Sequence, residues 1–245
     1  MKTEPDIEAV NAQYFIKWNY PYATGANLLA NSKFTYDSNK PIKRSGSYLP
    51  VFGGHDYNSY TDQVFDTVIK VNSQKLLLQS KNKLISGSPN PPKWEVEIND
   101  DKPVKRVSYV YYSGNYIPGD TAIYYYDVNR RVQKIEFHSS AQGVSYLFAK
   151  TFFFNNNNLQ RVSGVYLRKP NTVYYSTEEI FGSYDNKSNP LKALWLWDDI
   201  YYRSLSSNNF STYTYKRFDA QNNLIDSTYK TWNLQYDEKG NVSFK

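Results

Sequence analysis

A short pattern recurs along this chain of 245 residues. One to three aromatic or aliphatic strand-forming residues precede an Asp or Asn, a polar turn follows, and an aliphatic residue stands four to six positions later. The eight copies are centred on Asp37, Asn72, Asn99, Asp127, Asn155, Asp185, Asp219 and Asp237. A repeat of this kind indicates that each copy folds into the same supersecondary unit. It therefore constrains the architecture strongly and the chemistry very little.

The clearest unit predicts a β-hairpin. Its first strand spans 123–126, its turn spans 127–131 and its return strand spans 132–138. An Asp at the first turn position closes the turn, because its side chain accepts hydrogen bonds from backbone N–H groups two or three residues ahead. Val132 and Ile135 are three residues apart, which breaks the alternation of a strand. We therefore expect either a bulge at Val132 or a role for its side chain in packing over the turn, and we expect Ile135 to face the sheet.

Eight hairpins predict an all-β fold of roughly sixteen strands. The aromatic content of 18% agrees with this, since aromatic residues suit a pleated, half-buried surface. The predicted architecture is an antiparallel meander of tandem β-hairpin repeats, strongly curved and closing toward a barrel or half-barrel, which protects strand edges. In the sixth unit the pattern assigns Leu191 and Leu194 to the return strand after Asp185.

The domain prediction is an N-terminal tether and lead-in over 1–22 and a single β-hairpin-repeat domain over 23–245. Helical signals are weak: residues 6–18 predict the start of a helix, and 191–200 predict one or two helical turns. The longest loops are expected within 46–62 and 84–93.

Composition excludes several classes of function. The chain has no Cys, which removes disulfides and thiolate nucleophiles. Its net charge of +6 is dispersed without blocks of like charge, so the sequence predicts no nucleic-acid arm and no polybasic membrane tether. No stretch has the length and apolarity of a membrane helix. His55 and His138 stand outside any recognisable motif, and we predict no catalytic residue, metal site or cofactor. We expect a monomer.

One cluster combines aromatic and acidic residues. Aromatic rings stack on sugar faces, and carboxylates bind hydroxyl groups or act as acid and base. The alternative is that the aromatic residues belong to the core and the two acids form a turn. The residues predicted to bind a ligand are Trp195, Trp197, Asp198, Asp199, Tyr201 and Tyr202.

The repeats resemble those of known families. The pairs Tyr36-Asp37, Tyr126-Asp127 and Tyr184-Asp185, with the run 236–242, are similar to the tyrosine-aspartate repeats of the Rhs family. They look closer still to secreted lipoproteins of unknown function from Bacteroidota, in which such hairpins build a porin-like domain. The resemblance covers nearly the whole chain. Unlike Rhs proteins, however, this chain has a Gly-Asn turn only at Gly240-Asn241.

The lipoprotein resemblance implies export. The expected location is the outer membrane, as a lipoprotein, or the periplasm or cell surface, with membrane contact only through a lipid-bearing cysteine that this chain lacks. The tripeptides 66–68, 120–122 and 226–228 look like acceptors for O-glycosylation in these bacteria, which agrees with export.

The function expected from the sequence is a non-enzymatic binding or structural role at the cell envelope, with a glycan or another cell-surface ligand as the partner. One alternative is a carbohydrate-active hydrolase using Asp198, Asp199 or other acids, which requires paired carboxylates about 5 to 10 Å apart in a cleft. Another alternative is a carrier that holds a lipophilic ligand in the lumen of a barrel.

Overall fold

The computed structural model describes residues 11–17, 27–37, 40–48, 61–80, 93–139, 146–168, 172–192, 194–198 and 200–244. Sixteen strands and one short helix are described in these ranges. In chain order they are β1 (Asn11–Lys17), β2 (Asn27–Asp37), β3 (Lys40–Tyr48), β4 (Thr61–Asn72), β5 (Lys75–Ser80), β6 (Lys93–Asn99), β7 (Lys102–Tyr112), β8 (Asn115–Tyr126), β9 (Val132–Ser139), β10 (Tyr146–Asn155), β11 (Asn158–Arg168), β12 (Thr172–Tyr184), α1 (Tyr201–Ser204), β13 (Phe210–Asp219), β14 (Leu224–Thr231), β15 (Leu234–Tyr236) and β16 (Val242–Phe244).

All sixteen strands belong to one curved sheet, so the predicted all-β meander is confirmed. Strands β1 to β14 follow one another in chain order, each antiparallel to the next. After β14 the chain crosses to the other side of β1, where β16 pairs with β1 in parallel and β15 pairs with β16. The two edge strands are therefore β14 and β15.

These two edge strands are joined by only two residues, Trp232 and Asn233. The backbone N–H of Trp232 still donates to the carbonyl of Ser211 in β13 at 2.9 Å. Two residues later Leu234 already lies opposite Phe244 in β16. Among the described strands no ladder joins β14 to β15, so the sheet curls without being closed by hydrogen bonds, while the chain itself connects its two edges.

The turn aspartates act as the sequence predicts, with one difference. Oδ1 of Asp127, Asp219 and Asp237 accepts the backbone N–H two residues ahead at 2.9 to 3.0 Å. The second N–H comes from the fourth residue ahead, at 2.8 Å, and not from the third. Oδ2 accepts a side-chain N–H from that same residue, for example Asn223. The pKa of each of the three carboxyls is lowered. For Asp127, burial raises the pKa but the donors together outweigh it, and for Asp219 and Asp237 the side-chain N–H of the Asn is the largest cause.

Of the two alternatives for Val132, the structure shows the bulge. Tyr126 lies opposite Val132 whereas Tyr125 lies opposite Lys134, so Gln133 is the extra residue. Val132 and Ile135 are both buried on the same side of the sheet. The irregular spacing of the repeat is thus the spacing that returns both side chains to the core.

The core lies on the concave side of the sheet, around the segment between β12 and β13. We call this segment, residues 186–208, the plug. One buried cluster joins plug residues to β2, β5, β6 and β16, and a second lies on the inner face of β8 to β13 and contacts α1. Trp232 packs against both clusters. Because the plug contacts strands from both halves of the meander, the sheet must wrap around it.

Three sequence predictions are corrected. Residues 11–17 form β1, not a helix, so the sheet begins inside the segment 1–22 that was predicted as tether and lead-in. Leu191 and Leu194 belong to the plug, where both are fully buried. Their segment contains turns, and the helix follows at Tyr201.

The predicted loops lie mostly outside the described residues. Residues 46–48 belong to β3, residues 61–62 begin β4, and Lys93 begins β6. No described helix is long and apolar enough to cross a membrane.

Candidate functional site

The plug is an insertion into one turn of the repeat. In the plain turn after β8, the backbone N–H of Asp127 donates to the carbonyl of Arg131, and the N–H of Arg131 donates back to Asp127 Oδ1. Asp185 and Asn209 make the same two bonds, at 3.0 and 3.1 Å. Residues 186–208 therefore stand where the plain turn has 128–130. Phe210, which follows Asn209, then takes the buried position that Val132 has in the plain unit.

The middle of the plug is fixed to the sheet by two of the predicted site residues. Trp197 is 3% exposed, meets the ring of Phe34 edge-on at 5.0 Å, and its indole Nε1–H donates to Asp66 Oδ2 at 2.9 Å. Asp198 accepts two hydrogen bonds from the guanidinium of Arg106, at 2.5 and 3.0 Å. This bidentate geometry is the strong form of an Arg–carboxylate pair.

The other described site residues also contact the sheet. Tyr201 packs edge-on against Tyr124 and Phe152. Trp195 is half-buried and packs against the first core cluster. The hydroxyl of Tyr202 donates to Glu179 Oε1 at 2.6 Å. Asp199 lies outside the described residues. The sequence thus identified a real cluster, and the structure shows it holding the plug in place; its binding of a glycan stays a prediction.

Glu179 on β12 makes the main polar contacts between the sheet and the plug. It is 6% exposed, and Oε1 accepts hydrogen bonds from Tyr202 and from Lys150 Nζ, the latter at 3.2 Å. Oε2 accepts from the hydroxyl of Tyr213 at 2.8 Å. Burial, and next the carboxylate itself, raises the pKa of Tyr202 and Tyr213, so both remain donors. With three donors on two oxygens, this carboxylate positions the plug and is poorly placed to act as a general base.

Farther from the plug than Glu179, the inner face carries a row of stacked aromatic rings that the sequence analysis did not predict. Phe137, Phe148, Tyr166 and Tyr175 lie opposite one another on β9 to β12. Neighbouring ring centroids are 5.3, 3.7 and 3.8 Å apart, with interplanar angles of 15° to 21°. We call these four residues the aromatic ladder. The signal that could have found it is strand register, which places one aromatic residue per strand at the same height.

Gly164 makes room for the ladder. It lies on β11 between Lys150 and Thr177, two residues from Tyr166. A Cβ at this position would lie 3.1 Å from Phe148 and closer still to the hydroxyl of Thr177. Any larger residue would push Phe148 away from its place in the stack.

Arg217 stands at the end of the ladder. It lies opposite the buried Thr177, and its guanidinium carbon is 5.7 Å from the ring centroid of Tyr175. Its Nε is buried and has no hydrogen-bond partner among the described residues. Next to it Tyr215 has its hydroxyl buried, and burial raises the pKa of Tyr215 to about 12.

The outer face carries a shallow depression of about 370 Å³. Glu136 at its centre accepts hydrogen bonds from Lys134 at 2.6 Å and from the hydroxyl of Tyr125 at 2.9 Å. The ring nitrogen Nε2 of His138 lies 3.7 Å from Glu136, whereas His55 falls outside the described residues. Gln133 and Thr151 complete the lining.

In the described part of the chain, no group of three or more His, Asp or Glu residues is arranged to hold a metal ion.

Comparison with known proteins supports the fold. A porin-like protein from Bacteroides vulgatus, known from a crystal structure, superposes with a TM-score of 0.52. The two sequences are 12% identical, and the similarity covers 94% of this chain and 90% of that chain. No family model and no curated protein matches the chain. The chain therefore has an all-β, porin-like fold.

Proposed function

We propose that the protein is a non-enzymatic binding protein of the cell envelope that holds a small ligand with an apolar body against the aromatic ladder. The observation that carries this proposal is the ladder itself, a half-buried aromatic surface on the concave side of the sheet. The porin-like fold and the sequence resemblance to exported lipoproteins support the location. This is the carrier function that the sequence left as an alternative.

The number of strands supports an interior that can hold a ligand. Closed barrels of sixteen strands leave a lumen that their inward side chains do not fill, and this curved sheet has the same number of strands, although no ladder joins its two edges. The plug occupies the part of the interior near Glu179. Tyr175 lies four residues farther from the plug along β12, so the ladder lines the part of the interior that the plug does not reach.

The charged pairs on the outer face of the sheet favour contact of this face with water. Across neighbouring strands Lys75 pairs with Glu95 at 3.1 Å, and Lys105 pairs with Glu97 at 3.4 Å. On the same face, farther along the sheet, Arg161 pairs with Glu178 at 3.4 Å. A lipid-facing wall needs an apolar band instead of such charges. We therefore place the sheet outside the hydrocarbon, with membrane contact only through a lipid anchor.

The polar contacts favour binding over hydrolysis. A glycosidase needs two carboxyl groups free to act on one bond. Asp198 is held by both terminal nitrogens of Arg106, and Glu179 accepts three donors. These two carboxylates contribute to the position of the plug, which supports a non-enzymatic role.

The test is a binding titration with a polyene fatty acid whose fluorescence rises in an apolar site. We expect saturable binding to the wild type and at least about tenfold weaker binding to Tyr175→Ser, which removes one ladder ring. The matched control is Tyr229→Ser, because Tyr229 is exposed on edge strand β14. Equal loss in both variants, or no saturable binding, would contradict the proposal.

The depression around Glu136 favours a second candidate, glycan binding on the outer face. An exposed Tyr125, an amide from Gln133 and an ionised carboxylate are groups that recognise sugar hydroxyls. A glycan array probed with wild type and Glu136→Gln tests it. A glycan that binds both proteins equally would remove this site from consideration.

A further inference from the structure

We infer that Arg217 is the anion-binding end of the interior site, so that the ligand is a carboxylate with an apolar body. This inference rests on the proposed function, since it names the substrate class of the same site. It depends on three observations: an unsatisfied buried donor, the position of its charge beside the ladder, and the neutralisation of the other charges around it.

The first observation is the Nε–H of Arg217. It is buried and has no hydrogen-bond partner among the described residues. Leaving a buried donor unpaired costs free energy, and native proteins nearly always pair such groups with protein, water or ligand. An arginine offers five donors in a planar fork, which matches the two oxygens of a carboxylate.

The second observation is the position of the charge. The guanidinium carbon of Arg217 lies 5.7 Å from the ring centroid of Tyr175, the last ring of the ladder. An anion bound here would place its apolar part along Tyr166 and Phe148, whose rings continue the stack. The interior thus pairs one cation with one elongated apolar surface, the complement of a monocarboxylate with a long chain or fused rings.

The third observation concerns the neighbouring charges. Lys150 is also close to the ladder, 5.5 Å from the ring centroid of Phe148, but it pairs with Glu179. Asp226 lies opposite Arg217 across β13 and β14, and the described residues include no salt bridge between the two. Asp226 is exposed, so water screens its charge. Of the described cations next to the ladder, Arg217 is therefore the one whose charge is available to an anion.

The experiment compares a long-chain fatty acid with the alcohol of the same chain length, both measured by displacement of the same fluorescent probe. In the wild type the acid is expected to bind about tenfold or more tightly than the alcohol. Arg217→Gln is expected to abolish this preference, because it weakens binding of the acid much more than binding of the alcohol. Arg217→Lys keeps the charge and is expected to retain part of the preference.

The matched control is Arg161→Gln, because Arg161 lies on the outer face next to Glu178. It should keep the full preference of the wild type. Far-UV circular dichroism and the urea midpoint of each variant show whether it is folded. If Arg217→Gln is misfolded, the role of Arg217 is decided by the preference of the wild type for the acid and by the part of it that Arg217→Lys retains.

The outcomes separate the two proposals. Equal binding of acid and alcohol to the wild type would overturn the role of Arg217 and leave the interior binding site standing. A full preference in Arg217→Gln would do the same. Binding of neither ligand would overturn the proposed function. Binding of a uronic-acid oligosaccharide in place of the fatty acid would overturn the apolar body of the ligand and retain the anion site.

Discussion

Asp185 and Asn209 form a closed turn around a segment of the chain that has left the sheet. Their two backbone contacts are those of Asp127 and Arg131 in an ordinary hairpin, although residues 186–208 lie between them. Oδ2 of Asp185 also accepts the hydroxyl of Tyr236, which in turn accepts Asn209 Nδ2 at 2.9 Å. The base of the plug is thereby tied to edge strand β15.

Asp185→Ala should therefore destabilise the protein more than the same change in a plain turn. We expect a loss of about 2 kcal/mol, because the variant removes the side-chain oxygens that accept the backbone N–H of Asn209 and the hydroxyl of Tyr236 at the base of the plug. Asp219→Ala is the control, since Asp219 caps an exposed turn without an insertion. The measurement is urea-induced unfolding, and equal losses would show that the plug does not depend on this turn.

Trp197→Phe tests how firmly the plug is held. The variant keeps an aromatic ring beside Phe34 but removes the hydrogen bond to the buried Asp66, so we expect a loss of about 1 to 3 kcal/mol. Trp195→Phe is the control, because Trp195 is half-buried and makes no polar contact among the described residues. If thermal or urea unfolding shows the larger loss for Trp195→Phe, the assignment of Trp197 as the anchor is wrong.

Gly164→Ala should disturb the aromatic ladder. Its Cβ would collide with the hydroxyl of Thr177 and crowd Phe148, and such overpacking costs about 1 to 3 kcal/mol. The same change in a Thr177→Ala background should cost less, because one of the two obstacles is gone. The free energies of unfolding of the four proteins in this cycle give the coupling, and additive values would count against the crowding.

The turn aspartates predict how stability depends on pH. The folded pKa values of Asp127, Asp219 and Asp237 are lowered below the unfolded value of about 3.9. Their contribution to stability is therefore complete above about pH 4 and is lost as the pH falls through the folded pKa values.

A variant with Asn at all three positions should be less stable at neutral pH and lose less stability on acidification. Urea midpoints measured between neutral and strongly acidic pH check this. A variant as steeply pH-dependent as the wild type would point to other carboxyls, such as Glu136, whose pKa is also lowered.

The parts of the fold that sequence predicted are those set by local chemistry. An Asp that accepts two backbone N–H groups and an aliphatic residue that is buried just after the turn are properties of a few adjacent residues, so the hairpins and their number were predictable. In the sixth unit the pattern assigned the wrong residues to the return strand, because Leu191 and Leu194 stand at the expected spacing after Asp185. Only long-range packing decides that Phe210, far along the chain, is the residue that returns to the sheet.

The candidate site was less predictable for a related reason. The cluster from Trp195 to Tyr202 is contiguous in sequence, so composition found it. The aromatic ladder takes one residue from each of four strands, and Arg217 comes from a fifth. Register depends on bulges such as the one between Tyr166 and Leu167, which shift all later pairs by one position and which no local pattern specifies.

The parallel pairing of β1 with β16 has a consequence for folding. Ala12 lies opposite Val242, so this ladder joins positions that are far apart in the sequence. Contacts of such separation slow folding, because the entropy of closing the intervening chain must be met first. Local hairpins can therefore form early, whereas the pairing of β1 with β16 is expected to be a late step.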